Sequence, residues 1–211
     1  MKNSKLDVQK IKQTLSLGLP GMEEQYKLAP LNRERLSHIN HEDPSIRKAA
    51  VLVNLFFNDE QDKLLLTERS TYDGIHSGQI SFPGGKFEEK ETDPIQVALR
   101  EAEEEIGIPS NEVDIIGLMS PLYIPVSKMY VQPVLSCSNF LNWNPSNKEV
   151  AQVLEVPISD LLSIDAVKYK DMELSDRGII QVPYFDFRGH HIWGATAMMI
   201  NELLAIIRRT F

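Results

Sequence analysis

Glu101, Glu104 and Glu105 fall within one short stretch, "PGGKFEEKETDPIQVALREAEEEIGI", and their spacing decides what they can do together. An α-helix turns about 100° per residue, so with Glu101 at zero, Glu104 falls at about 300° and Glu105 at about 40°. The three carboxylates share one face about 100° wide. Ile95, Leu99, Ala102 and Ile106 fall between roughly 100° and 160°, a compact apolar stripe for the core. Glu103 falls at about 200°, away from the trio. Like charges at i,i+4 cost roughly 0.2–0.5 kcal/mol each. A solvated acidic face would interleave lysines, and Arg100 is the only cation in the predicted helix. Carboxylates gathered on one face are what hard, oxygen-seeking divalent ions need. Pro83-Gly84-Gly85, just upstream, brings bare backbone carbonyls and amides close to anything bound there.

The elements that must hold these residues are readable in outline. Asp93 is a good N-cap, Pro94 suits the first helical position and Gly107 is a natural stop, so the acidic helix runs between them. Leu6, Ile11 and Leu15 predict an N-terminal amphipathic helix ended by Gly18 and Pro20. A polar stretch with Pro30, Asn32, Arg33 and Arg35 follows. "AAVLVNLFF" (49–57) reads as a buried strand and "KLLLTER" (63–69) as its hairpin partner. A Gly/Ser/His loop over 70–81 leads into "SFPGG". "VDIIGLM", "MYVQPVLSCS" and "EVAQVLEVP" read as strands, then "ISDLLS" as a short helix. "QVPYFDFRGHHIWG" predicts a hairpin around Arg188-Gly189. "TAMMINELLAIIRR" closes the chain as an apolar helix with cations at its favourable C-terminal end. Strand pairs around a central helix, plus a terminal helix, predict an α/β fold with a mixed sheet between helices.

Composition narrows the function. The 211 residues are 42% apolar, enough for one sizeable core with an extension. The formal net charge of -8 repels nucleic-acid phosphate, which argues against a DNA or RNA binder. A small anionic substrate stays compatible if metal ions supply the positive charge. Cys137 is the single cysteine, so no intrachain disulfide forms, in keeping with a reducing cytoplasm. No run approaches the roughly 18–20 apolar residues that cross a bilayer, and the first residues do not resemble a signal peptide. A soluble cytoplasmic protein without a membrane partner is the expectation. The histidines show no metal-ligand spacing, and no P-loop or Gly-x-Ser-x-Gly turn occurs.

The stretch from Gly85 to Ile108 resembles the signature box of the Nudix hydrolase family. That box runs glycine, five residues, glutamate, seven residues, then Arg-Glu-apolar-any-Glu-Glu-any-Gly-apolar. Gly85, Glu91, Arg100, Glu101, Ala102, Glu104, Glu105, Gly107 and Ile108 supply its positions. Eight residues rather than seven separate Glu91 from Arg100, the extra one lying near Asp93-Pro94 before the helix face begins. The resemblance implies a Nudix-type α/β/α sandwich over residues 45–211, with residues 1–44 as a helical extension packed on it. It also implies Mg²⁺- or Mn²⁺-dependent cleavage of a pyrophosphate that links a nucleoside to another group. Glu101 and Glu105 would be the main metal ligands, with Glu104 a further one and the Gly85 carbonyl a backbone ligand. Arg100 would orient a neighbouring glutamate through a bidentate pair, and Glu91 is the remaining acid of the box. Glu149, in "NKEVAQVLEVP", matches a loop acid that binds metal or acts as general base in such proteins; read alone, it is an exposed loop glutamate.

"LLTERSTYDGIHSGQISFPGG" (65–85) further resembles the signature of the coenzyme A pyrophosphatase branch, with Gly74 where the branch usually has a second arginine. This implies coenzyme A or an acyl-CoA as substrate, and leaves ADP-ribose or NADH as alternatives. Arg69 would reach substrate phosphate or pair with an acidic neighbour; His76 would contact ligand or be simply solvated. Gly78 and Gly84 would border the substrate. Trp193 reads as packing on the terminal helix rather than stacking on a base. The resemblance leaves a homodimer open. A non-catalytic nucleotide-sensing module is the rival class, and the retained Glu101, Glu104 and Glu105 argue against it.

Overall fold

The computed structural model describes residues 6–31, 33, 43–57, 61–70, 78–140, 142–174 and 178–211. His76 and Gly74 lie outside the described residues. The chain opens with helices α1 (Val8–Ser16) and α2 (Gly21–Gln25). Strands β1 (Arg47–Phe57), β2 (Asp62–Arg69), β3 (Ile80–Ser81) and β4 (Gly84–Lys86) lead into helix α3 (Pro94–Ile106). Then come β5 (Asp114–Leu118), β6 (Leu122–Ile124), β7 (Met129–Ser138), β8 (Val150–Pro157) and the short helix α4 (Ile158–Leu162). Strands β9 (Val167–Leu174), β10 (Gly178–Phe187) and β11 (His190–Trp193) precede the terminal helix α5 (Gly194–Arg208).

The apolar run of β1 is long because it is the spine of the main sheet. Its parallel partner β7 follows it from Arg47 to Phe56. On the other side its second half pairs with β2 at Leu55–Phe57, and its first half pairs with β4 at Ala49–Val51. Strands β8 and β3 flank β2, and β5 and β6 flank β7. The sheet is mixed, as expected, and covered on both faces. Ala50, Leu52 and Leu65 pack with Val97, Ala98, Ala102 and Ile106 of α3. Val53, Leu55, Leu64 and Leu66 pack with Leu203, Leu204 and Ile207 of α5. This two-sided burial makes the strands read as continuous rather than alternating. Each fully buried side chain of this kind contributes roughly 1.5–3 kcal/mol. Among the described residues no helix is long and apolar enough to cross a membrane.

Helix α5 is buried on nearly all sides because α2 lies against it opposite the sheet. Glu202, fully enclosed in α5, takes the N–H of Gly21 at 3.2 Å, the N–H of Ser120 at 3.2 Å and Nε2 of Gln25 at 2.8 Å. Three donors make that buried carboxylate a structural tie between α2 and α5.

Three features differ from the sequence expectation. The short helix α2 and the bridging strands β3, β4 and β6 are additional. A second, three-stranded sheet of order β11-β10-β9 includes β9, whose "VKYKDMEL" has no apolar run to reveal it. The third concerns the core face of α3. Its buried residues are Val97, Ala98, Ala102, Glu105 and Ile106, while Ile95 and Leu99 are only partly buried. That face is turned by about 70° toward the carboxylates relative to the predicted stripe. The helix termini are as expected: Asp93 Oδ1 accepts the Ile95 N–H at 2.9 Å, and Gly107 ends the helix at φ 72°.

A Cβ at Gly107 would sit 3.0 Å from the Asn144 Cβ, in a backbone conformation that disfavours side chains. We expect Gly107→Ala to lower stability by about 1–2 kcal/mol, read as a lower denaturant midpoint. An unchanged midpoint would contradict this cap assignment.

Candidate active site

Gly84 and Gly85, which the structure places in strand β4 rather than in a turn, meet the middle of α3 because neither has a side chain. A Cβ at Gly84 would strike the Ala50 carbonyl, and one at Gly85 would occupy the position of the Glu101 carboxylate. With both absent, the Gly84 N–H donates to Glu105 Oε2 at 3.2 Å. Glu105 is buried, 4% exposed. Desolvation pushes its pKa up to about 7, against the weaker pull of the Gly84 N–H and the Arg69 charge. Glu101 is also raised, chiefly by burial, against its bond to Arg100. These acids are therefore not on an exposed face as the bare helical wheel implies; two of the trio point inward. Glu104 remains largely exposed.

Arg100 is the hub of the outer half. Its Nε and Nη2 grip Glu91 at 2.9 and 3.0 Å, a bidentate pair. Its Nη1 reaches Glu101 at 3.0 Å and Glu104 at 3.3 Å, and Nη2 reaches the Lys86 carbonyl at 3.3 Å. The Arg100 pair, first, and the Glu88 N–H, second, hold the Glu91 carboxyl below its ordinary range. The extra residue between Glu91 and Arg100 is thus absorbed before the helix, and the two side chains still meet.

Glu149 sits in an exposed turn, and its charge raises both Glu101 and Glu105. The turn is pinned on two sides. Asn144 and Ser146 donate N–H bonds of 2.9 Å to the Ile106 and Glu105 carbonyls, and the Glu149 carbonyl takes the Ser70 N–H at 2.9 Å. Trp143 anchors the segment: its Nε1 donates to Glu155 at 2.9 Å, and its ring meets Phe56 and Phe140 edge-on. Lys63 closes the other oxygen of Glu155 at 2.8 Å. Sequence reasoning missed the Trp143–Glu155–Lys63 support, because its members are separated along the chain and match no motif.

Arg69 ends β2 beside this cluster. Its charge acts on Glu105, yet its buried Nε has no hydrogen-bond partner and it forms no ion pair among the described residues. Among the described residues no acidic side chain lies at bonding distance from it, so of its two expected roles pairing with an acidic neighbour is not seen there. Gly78, at φ 68°, is the next described residue after Ser70. Gly85, Glu91, Arg100, Glu101, Glu104, Glu105, Glu149, Arg69 and Gly84 thus gather around one end of the sheet.

The donors suit a divalent cation. They are hard oxygens, two of them desolvated and repelling each other, beside a glycine whose missing Cβ leaves them room. Among the described residues no three acidic, His or Cys side chains already close on one point; Glu101 and Glu105 form a pair with Glu104 and Glu149 outside it. The desolvated Glu101–Glu105 pair therefore lies beside an Arg69 whose Nε has no hydrogen-bond partner among the described residues.

Residues 47–181 match the NUDIX domain family model, so the chain belongs to the Nudix family. It is 36% identical over 175 residues to the uncharacterized Nudix hydrolase NudL of Escherichia fergusonii, covering 82% of this chain and 85% of that one. It is 38% identical over 159 residues to NudL of an Enterobacter species, covering 74% and 81%. The solved Nudix hydrolase RenU of M. smegmatis shares the fold, with a TM-score of 0.50 at 18% identity over 85% of this chain and 94% of that one. The protein is accordingly a hydrolase of pyrophosphate bonds, in a family that generally uses divalent ions such as Mg²⁺ or Mn²⁺.

The raised Glu105 pKa makes a signed prediction. The folded value of about 7 exceeds the reference 4.5, so folding favours the protonated acid. Its contribution is full below the reference value and is lost as pH rises through 7, on the order of 3 kcal/mol for the metal-free protein. Subtracting the stability of Glu105→Gln from that of wild type, each measured in chelator across pH, isolates this slope. Parallel profiles would contradict it.

Proposed function

We propose that the protein is a Mg²⁺- or Mn²⁺-dependent pyrophosphatase of coenzyme A or acyl-CoA. Its products would be 4'-phosphopantetheine (or the acyl form) and adenosine 3',5'-bisphosphate. The supporting observation is that the strand from Leu65 to Arg69, which begins the coenzyme A-type signature, ends at a residue whose charge reaches Glu105 of the carboxylate helix. There Arg69 keeps a buried Nε without a partner while its charge acts on Glu105. A phosphate oxygen is the natural acceptor for such a guanidinium. Residues 45–211 carry the activity in this reading, and residues 1–44 form an extension on it.

Glu101 and Glu105, with Glu104 and the Gly85 carbonyl, would hold the metal. Bound there, it supplies the positive charge that screens the pyrophosphate and acidifies the attacking water. Arg100 keeps Glu101 and Glu91 in place, and Arg69 takes a substrate phosphate oxygen. The water oxygen bonds to one phosphorus as the bridging P–O bond breaks. Glu149 accepts the water proton at its carboxylate and the second phosphate leaves as an anion. Small nucleotide derivatives, not nucleic acid, fit an acidic protein of this kind.

The test is hydrolysis by pure protein with Mg²⁺ of coenzyme A, ADP-ribose, NADH and nucleoside triphosphates, with products resolved by chromatography. Coenzyme A should be cleaved to the two named products. Turnover of ADP-ribose or NADH with coenzyme A untouched would overturn the assignment, and would fit the glycine at position 74. Glu105→Gln should lower turnover by more than the roughly 100-fold typical of losing a hydrogen-bond partner behind a metal ligand. Near-normal activity would sink the metal role.

A further inference from the structure

Successive residues of β2 face opposite ways. Leu65 packs toward α3, Leu64 and Leu66 toward α5. Glu68 continues the second series, and it forms one wall of a cleft of about 470 Å³ on the side of the sheet away from α3. Gln79 stands on the same wall, and Lys170, His190, His191 and Trp193 of the second sheet face it. The volume lies within the roughly 300–1,000 Å³ of small-molecule sites. This cleft and the carboxylate cluster share the end of β2: Glu68 faces one and Arg69 the other, and the Gln79 carbonyl takes the Arg69 N–H at 3.0 Å.

The cleft is furnished for an anion attached to a flat ring. Lys168 and Lys170 lie on one face of β9, and their situations differ. Lys168 is neutralised by Asp186 at 2.8 Å. Lys170 has no carboxylate partner among the described residues, and burial lowers its pKa. Its Nζ lies 2.8 Å from His191 Nδ1 and 5.1 Å from the Tyr184 ring centroid. Next to an ammonium donor, His191 Nδ1 must be the acceptor, so the imidazole proton sits on Nε2 as a second donor. The His191 ring is held against Tyr184 at 4.5 Å between centroids. Glu68, 3.7 Å from His190 Nδ1, is the carboxylate of one wall, and Lys170 is the ammonium of the wall that faces it. Trp193 is half-buried and lines the cleft, rather than being spent wholly on packing α5 as the sequence implied.

We propose that this cleft holds the nucleoside end of the substrate, with Lys170 and His191 on its phosphate monoester and Trp193 against its base. The inference rests on the coenzyme A reading for the identity of that group, the 3'-phosphate of adenosine. It gives the chain a cation for that phosphate from β9, in a sequence that has Gly74 in place of the branch's arginine. A desolvated ammonium gains more from an anion than a solvated one, and a charge-assisted bond of this type contributes enough to set specificity.

The test is a calorimetric titration of the full chain, without added divalent metal, using adenosine 3',5'-bisphosphate and 5'-AMP as probes. Wild type should bind the bisphosphate more tightly than AMP. Lys170→Gln should weaken the bisphosphate by about tenfold or more and leave AMP unchanged, closing the gap between them. Lys170→Arg, which keeps the charge, should preserve the gap and guards against a folding artefact. Equal weakening of both ligands, no change in either, or no preference in wild type would overturn the proposal. If the preference is present and Lys170-dependent but coenzyme A is not hydrolysed, the cleft stands and the substrate assignment fails. If coenzyme A is hydrolysed without a Lys170-dependent preference, the reverse holds.

Discussion

The burial of the Glu105 carboxylate is the constraint around which the active end of the protein is arranged. Its side chain takes the Gly84 N–H, and its main-chain carbonyl takes the Ser146 N–H. One residue therefore joins the glycines of β4, the helix and the loop that carries Glu149. Arg69, at the end of β2, supplies the cation that partly offsets the desolvation. Such a site is uncomfortable when empty of cations, because two desolvated acids and a third nearby acid repel one another. In the proposed function that repulsion would be the source of affinity for a divalent ion.

Glu202 makes the contrast plain. It is more deeply buried than Glu105, yet three neutral donors satisfy it and it fixes α2 to α5. Glu105 has a single backbone donor and acidic neighbours. Burial of the same side chain thus serves structure where donors are complete and shifts its protonation where they are not. The sheet provides the rigid frame between them: β1 holds β4 and its glycines on one half and β2 with Arg69 on the other.

Local chemistry made much of this legible in the sequence. Asp93, Pro94 and Gly107 bound α3 because capping depends on neighbouring atoms, and the apolar runs of β1, β2 and β7 reported burial on two faces. The Nudix resemblance grouped Gly85, Arg100, Glu101 and Glu105 correctly as neighbours. The helical wheel could not say which part of its arc meets the sheet, so it left Glu105 outside and centred the core on Ile95, Leu99, Ala102 and Ile106, of which Ala102 and Ile106 are buried and Ile95 and Leu99 only partly so. Nor could it show that Glu91 still reaches Arg100 despite the extra residue, since that depends on how the turn before Asp93 folds. The Trp143–Glu155–Lys63 support and strand β9 were hidden for a related reason. Their stabilising partners are remote in sequence, and their own patterns are polar.

The central claim is that inward-facing Glu101 and Glu105, not the acidity of the helix as a whole, create the metal site. Titrating Mn²⁺ into metal-free protein, above the pH at which Glu105 titrates, tests this most directly. Wild type and Glu103→Gln should bind the ion alike, because Glu103 points away to solvent, and Glu105→Gln should lose most of the binding. Equal binding by Glu105→Gln, or a loss that appears with Glu103→Gln, would contradict the account.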